Sequence, residues 1–119
     1  MLSPINRAGT YRHRCGAVLL VAFALLGPGQ ALYAKEPRVH TVLIEGMQFV
    51  PQTVEARVGD TIVWKNNDPF PHTATAGNRS FDSKNIAENR SWTFKVRRKG
   101  AFPYVCTLHP TMMGSLVVK

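Results

Sequence analysis

The chain is poor in cysteine: two occur in 119 residues, Cys15 and Cys106. Cys15 stands ahead of the main apolar run, where no lipoprotein acylation site would lie. Long apolar runs are missing too. The longest, Ala17–Gly27, reads AVLLVAFALLG. As a helix it would reach about 16 Å, against a hydrocarbon core of about 30 Å, so it is too short to span. Acids are scarce, seven against fifteen Lys and Arg, and no paired carboxylates stand out as a hydrolytic constellation. No window sustains an apolar face at the helical period, which argues against a helix bundle. There is no internal repeat and no low-complexity tract.

What is present begins with a leader. Arg7, Arg12 and Arg14 come first, with no acid among them. The apolar run follows, then Pro28, Gly29 and small residues ending at Ala31 or Ala34. Basic, apolar and small segments in that order describe a secretory signal peptide. Polar composition starts at Lys35. The expected organisation is therefore a signal peptide over residues 1–34 and one mature domain over 35–119. No arginine pair precedes the run, which favours the general secretory route and a periplasmic, monomeric product. No stable membrane association after cleavage and no nucleic-acid partner are expected. Removing 34 residues from 119 leaves 85, a size at which disulfides or metals commonly supplement the core. Cys106 is then the sole thiol, so no internal disulfide can form. Twelve Lys and Arg remain against seven acids. Lys95, Arg97, Arg98 and Lys99 form one cluster, read either as a solvated hairpin end or as steering toward an acidic partner.

The period of the mature segment is two. Val39, Thr41 and Leu43 share a face, while Val42 and Ile44 break the alternation and suggest a strand covered on both sides. Val54, Ala56 and Val58 read as inward, Gly59-Asp60 as a turn, and Ile62 and Trp64 as the next inward pair. Trp92, Phe94 and Val96 share another face. AFPYVC and SLVVK read as closing strands, and Asp82 to Asn89 has room for one helical turn. Short strands with regular turn signals predict an all-β, antiparallel sandwich. Met47 is expected to pack and His40 to lie at the surface.

Four side chains carry candidate metal chemistry: His72, Cys106, His109 and Met112. Two residues separate Cys106 from His109, and two separate His109 from Met112. His72 lies 34 residues before Cys106, in a segment between two predicted strands. It can close over the other three if both loops reach one end of the sandwich. Two imidazoles and a thiolate make a trigonal plane suited to copper, with a thioether as a weak axial ligand. Zinc favours a further His, Cys or carboxylate over Met. Met113 is the competing axial candidate and is expected to pack nearby instead.

With these residues in place, CTLHPTMMG at 106–114 and WKNNDPFPHT at 64–73 resemble the cupredoxins, the small blue copper proteins. The short His109–Met112 gap is most similar to amicyanin; plastocyanin and pseudoazurin have longer ones. FVPQTVEARVGDTIVW, from Phe49 to Trp64, is similar to the strand pair ahead of the first histidine in that family. The resemblance covers about residues 38–119. It implies a single-domain Greek-key β-sandwich holding one copper ion as Cu(I)/Cu(II) on His72, Cys106, His109 and Met112. It also implies one-electron transfer. The leader, and Val105 and Thr107 flanking Cys106 where a second copper would call for histidine, add the expectation of a periplasmic carrier and not an enzyme. Redox partners are expected to dock at the copper end on Phe70, Pro71, Leu108 and Pro110, and to be acidic if the basic cluster steers them. The alternative is a copper chaperone, buffer or resistance protein using the same site. The chain departs from the family twice. Leu108 replaces a proline, and its restored N–H is expected to point at the Cys106 sulfur. Thr73 stands where many members have an asparagine tying the two ligand loops together.

Overall fold

The computed structural model describes Gly27, Gly29 and residues 33–119. The expected signal peptide, residues 1–34, lies almost wholly outside the described residues. Residues Ala34–Lys119 form one compact unit of eight strands. These are β1 (Val39–Glu45), β2 (Gln48–Val50), β3 (Thr53–Ala56), β4 (Thr61–Asn66), β5 (Thr75–Ala76), β6 (Ser91–Lys95), β7 (Gly100–Val105) and β8 (Met113–Val118). They form two sheets, β2–β1–β4–β6 and β3–β8–β7–β5. The chain crosses repeatedly between the sheets, as in a Greek-key sandwich. No helix occurs among the described residues, and Asp82 to Asn89 is irregular chain with no helical turn.

The sheets are mixed, which corrects the antiparallel expectation. β1 pairs with β4 in parallel, and β3 with β8 in parallel. The other pairings are antiparallel. The parallel neighbours are far apart in sequence and leave no hairpin signal between them.

Alternation places the core where it is clean. In β4, Ile62, Trp64 and Asn66 are buried. Trp64 meets Phe81, Trp92 and Tyr104 at ring-centroid distances of 5.3, 5.4 and 5.5 Å. Such aromatic pairs contribute about 0.5–1.5 kcal/mol each beyond simple burial. In β1 the inward face is Val42 and Ile44, with Val39 and Thr41 outward. The register explains it: Val42 pairs with Trp64 and Ile44 with Asn66, both buried. Val58 is 50% exposed because β3 ends at Ala56 and the chain has already turned. His40 is not simply a surface residue; its Nε2 lies 2.8 Å from Asp60 Oδ2. Asp60 also accepts from the Arg38 and Arg57 backbone N–H groups. The Arg38 N–H is the leading cause holding its carboxyl down to about 2, with His40 and Arg57 adding to it against the cost of burial.

The pairings sort charge between two poles. Lys95 pairs with Thr61, next to Val39; Val118 pairs with Ala56 and Gly100. Exposed Arg38, Arg57, Lys95, Arg97, Arg98, Lys99 and Lys119 thus gather at one pole with Glu55 and Asp60 for balance, while Lys35 and Glu36 ahead of β1 offset each other. From Lys65 to Arg90 and at Glu45, the rest of the sandwich balances four cations with four acids. β4 and β7 both run away from the basic pole, so the loops bearing His72 and Cys106 leave the opposite one.

Candidate metal centre

The first loop is folded around Asn66, the last residue of β4. Its buried side chain accepts from the Asp68 N–H at 2.9 Å and donates to the Phe70 and Ile86 carbonyls at 2.7 and 3.0 Å. Backbone hydrogen bonds in both directions between His72 and Ile86, 3.1 and 2.7 Å, then fix His72 in place. Its imidazole is completely buried, with Nε2 2.9 Å from Asp68 Oδ2. A carboxylate there is an acceptor, so Nε2 carries the ring hydrogen and Nδ1 keeps its lone pair free. Burial opposes ionisation of Asp68, but the N–H groups of Met47 and Gly46 and the contact with His72 outweigh it. The carboxyl stays below its ordinary range.

The second loop is a tight turn beyond β7. Cys106 N–H donates to the Met112 carbonyl at 3.0 Å, His109 N–H to that of Cys106 at 3.2 Å, and Met112 N–H to that of His109 at 2.9 Å. Pro110 adds no donor to this ladder. The result turns Cys106 inward, completely buried, while His109 stays partly exposed. His72 Nδ1 and His109 Nδ1 each lie 3.7 Å from Cys106 Sγ. All three donor atoms fall within 4.8 Å of one another. An ion with bonds of about 2.0–2.1 Å to nitrogen and about 2.3 Å to sulfur in a trigonal plane separates N from S by about 3.7 Å. The donor set therefore fits a soft or borderline metal ion without rearrangement.

The two loops are tied by Thr73. Its Oγ1 accepts from the Thr107 N–H at 2.8 Å and lies 3.1 Å from Thr107 Oγ1. The hydroxyl thus fills the role the missing asparagine would have had. Thr73 N–H donates to Cys106 Sγ at 3.3 Å. Among the described residues it is the one N–H that does so; the hydrogen bond expected from Leu108 is not formed. Leu108 points outward and is exposed. Met112 is 3% exposed, whereas Met113, expected to pack nearby, is 57% exposed.

Sequence reasoning brought His72, Cys106 and His109 together correctly and missed Asp68. The available signal was an acid four residues before the first histidine, in a loop bounded by prolines.

Fold and donor cluster together define a two-sheet β-sandwich with a Cys-His₂ site between two loops at one pole. The family model of the cupredoxin-like domain matches residues 15–118, and the chain belongs to that family. Amicyanin from Paracoccus versutus is 26% identical over 81 residues, covering 64% of this chain and 61% of its own length. The chain thus spans under two thirds of that relative. Among solved structures, a Met-to-Ala variant of amicyanin in the Cu(I) form superposes with a TM-score of 0.64 at 26% identity. That match covers 68% of this chain and 82% of amicyanin. The copper-containing nitrite reductase from Thermus scotoductus SA-01 superposes with a TM-score of 0.65 at 26% identity. There the match covers 71% of this chain but only 23% of the enzyme.

Proposed function

We propose that this protein is an exported single-electron carrier holding one copper ion on His72 Nδ1, Cys106 Sγ and His109 Nδ1, with the Met112 thioether as a weak axial ligand. The observation that carries the reading is the pair of 3.7 Å separations flanking a buried thiol. Copper bound by such a set supplies a one-electron Cu(I)/Cu(II) couple. The chain's own part is to hold the donors still. Asp68 fixes the ring orientation of His72, and the Thr73–Thr107 tie fixes the loop carrying Cys106 against the loop carrying His72. A site that is already assembled has little to reorganise when charge changes. His109, the partly exposed member, is the route for electrons in and out. Exposed Phe70, Pro71, Leu108 and Pro110 on the same two loops form the docking collar for a redox partner. The contact would be small and transient.

The basic cluster has no part in that contact, because it lies at the other pole. An acidic partner at the copper end is therefore withdrawn from the reading. Cleavage near Ala34, release of residues 35–119 and a monomer in the periplasm complete it. The reading is of a carrier and not an enzyme, because Val105 and Thr107 flank Cys106 where a histidine leading to a second copper would stand.

Addition of Cu(II) to the exported protein should produce an intense thiolate-to-copper band at about 600 nm that Cys106→Ser abolishes. A colourless complex with a freely alkylated Cys106 would sink the proposal. The second reading, copper handling, is favoured by a methionine-lined cleft beside Met112. A chaperone would surrender Cu(I) to an acceptor faster than it exchanges electrons with itself.

A further inference from the structure

All methionines beyond Met1 meet in one place. Met47, Met112 and Met113 line a single cleft of about 200 Å³, together with Phe49, Gln52 and Thr111. The cleft is distinct from the Cys-His₂ cluster and shares only Met112 with the proposed axial position. Its lining carries no charged side chain. Met113, 57% exposed, and Met47, 39% exposed, both reach solvent, while Met112 is buried.

Met47 is placed there against local preference. Gly46 and Met47 are the two residues between β1 and β2, with φ of 59° and 60°. A two-residue hairpin with both residues left-handed favours glycine or asparagine, and any other side chain costs about 1–2 kcal/mol there because its Cβ crowds the following carbonyl. The turn is held by Asp68, which accepts from the Gly46 and Met47 N–H groups at 2.7 and 2.9 Å. The same carboxylate contacts His72. Expected packing of Met47 in the core is thus replaced by a strained, half-open position beside the metal loops. Strain of this kind concentrates at functional sites.

From these observations we infer that the cleft is a second metal site, for a cuprous ion held by the thioethers of Met47 and Met113 with Met112 at its floor. Thioethers are neutral and soft. They select Cu(I), or its analogue Ag(I), over Cu(II) and zinc, and need lose no proton to bind. Because Met112 belongs to both sites, an ion in the cleft stands one side chain from the Cys-His₂ cluster. The cleft is a loading vestibule for that cluster, and in this role it rests on the function proposed above.

The test adds Ag(I) to the Cu(II)-loaded, blue protein and counts both metals after desalting. The expected result is one retained Ag(I) with the blue band preserved, and binding weakened at least tenfold in a Met47→Leu, Met113→Leu double variant that stays blue. Silver uptake only in exchange for copper with loss of colour overturns the inference, as does equal uptake by the double variant. If no blue band forms at all, it is the carrier reading that fails. The cleft is then read from the methionine methyl resonances of the metal-free protein: Ag(I)-induced shifts at Met47 and Met113 support the site, and their absence refutes it.

Discussion

Single side chains decide what the site can do, and some were legible while others were not. His72, Cys106 and His109 could be found because donor types with few structural uses recurred at short spacing, and because Cys106 is the lone thiol beyond the expected leader. Asp68 was missed, since an acid four residues before a loop histidine is ordinary until its partners are known. Its buried negative charge favours Cu(II). Asp68→Asn should therefore raise the reduction potential by tens of millivolts, the scale of about 1 kcal/mol for a charge acting across the His72 ring. Protein-film voltammetry gives the answer, and an unchanged potential would remove Asp68 from the site's tuning. Leu108 looked informative and is not. Its N–H makes no bond to sulfur, so Leu108→Pro should leave the potential within about 10 mV of the parent, since no charge or hydrogen bond at the sulfur changes. Thr73→Ala strands the Thr107 N–H and removes the loop tie. A loss of about 1 kcal/mol in denaturant unfolding is expected, together with faster copper release.

Strands were readable in proportion to the cleanness of their alternation. β4 and β6 stood out because large apolar side chains, Ile62 and Trp64 in one and Trp92 and Phe94 in the other, sit at every second position. β1 offered no single inward face because Val42, Leu43 and Ile44 are apolar in succession and carry no phase. Only pairing with β4 sets it. β2 and β5, of three and two residues, are too short to give a period at all. The parallel pairings were invisible for a further reason: their partners are joined through the rest of the fold, and no local turn announces them. One contact between elements was invisible too. Gly114 on β8 faces Tyr104 on β7, and a Cβ at 114 would lie 2.4 Å from the Tyr104 ring. Tyr104 is walled in: burial pushes its phenol up to about 12, offset only in part by the Trp64 N–H, and its hydroxyl has no hydrogen-bond partner among the described residues. Gly114→Ala should cost at least about 2 kcal/mol by forcing the two strands apart just behind the metal loop. A thermal midpoint equal to the parent's would show that the strands can yield.

At the scale of the whole molecule, the ends differ in chemistry more than the sheets do. Asp60 joins β1, the β3–β4 turn and His40 at the basic pole. Its carboxyl ionises at about 2 when folded, below the ordinary 3.8. The folded state therefore gains from the charged form at any pH above the ordinary value. That gain should drain away as the pH falls from about 4 to about 2. Asp60→Asn should lose about 2 kcal/mol at neutral pH through weakened hydrogen bonds and flatten the acid limb of a stability profile. An acid limb as steep as the parent's would place the dependence elsewhere. The segregation of charge has its own outcome in motion. With nearly all the net charge at one end and the copper loops at the other, the sandwich is a compass needle. Near a positively charged surface it turns its loops forward, and near a negative one it turns them away. Recognition therefore begins before contact, with rotation, and the sign of a stranger's field decides whether His109 arrives first or last.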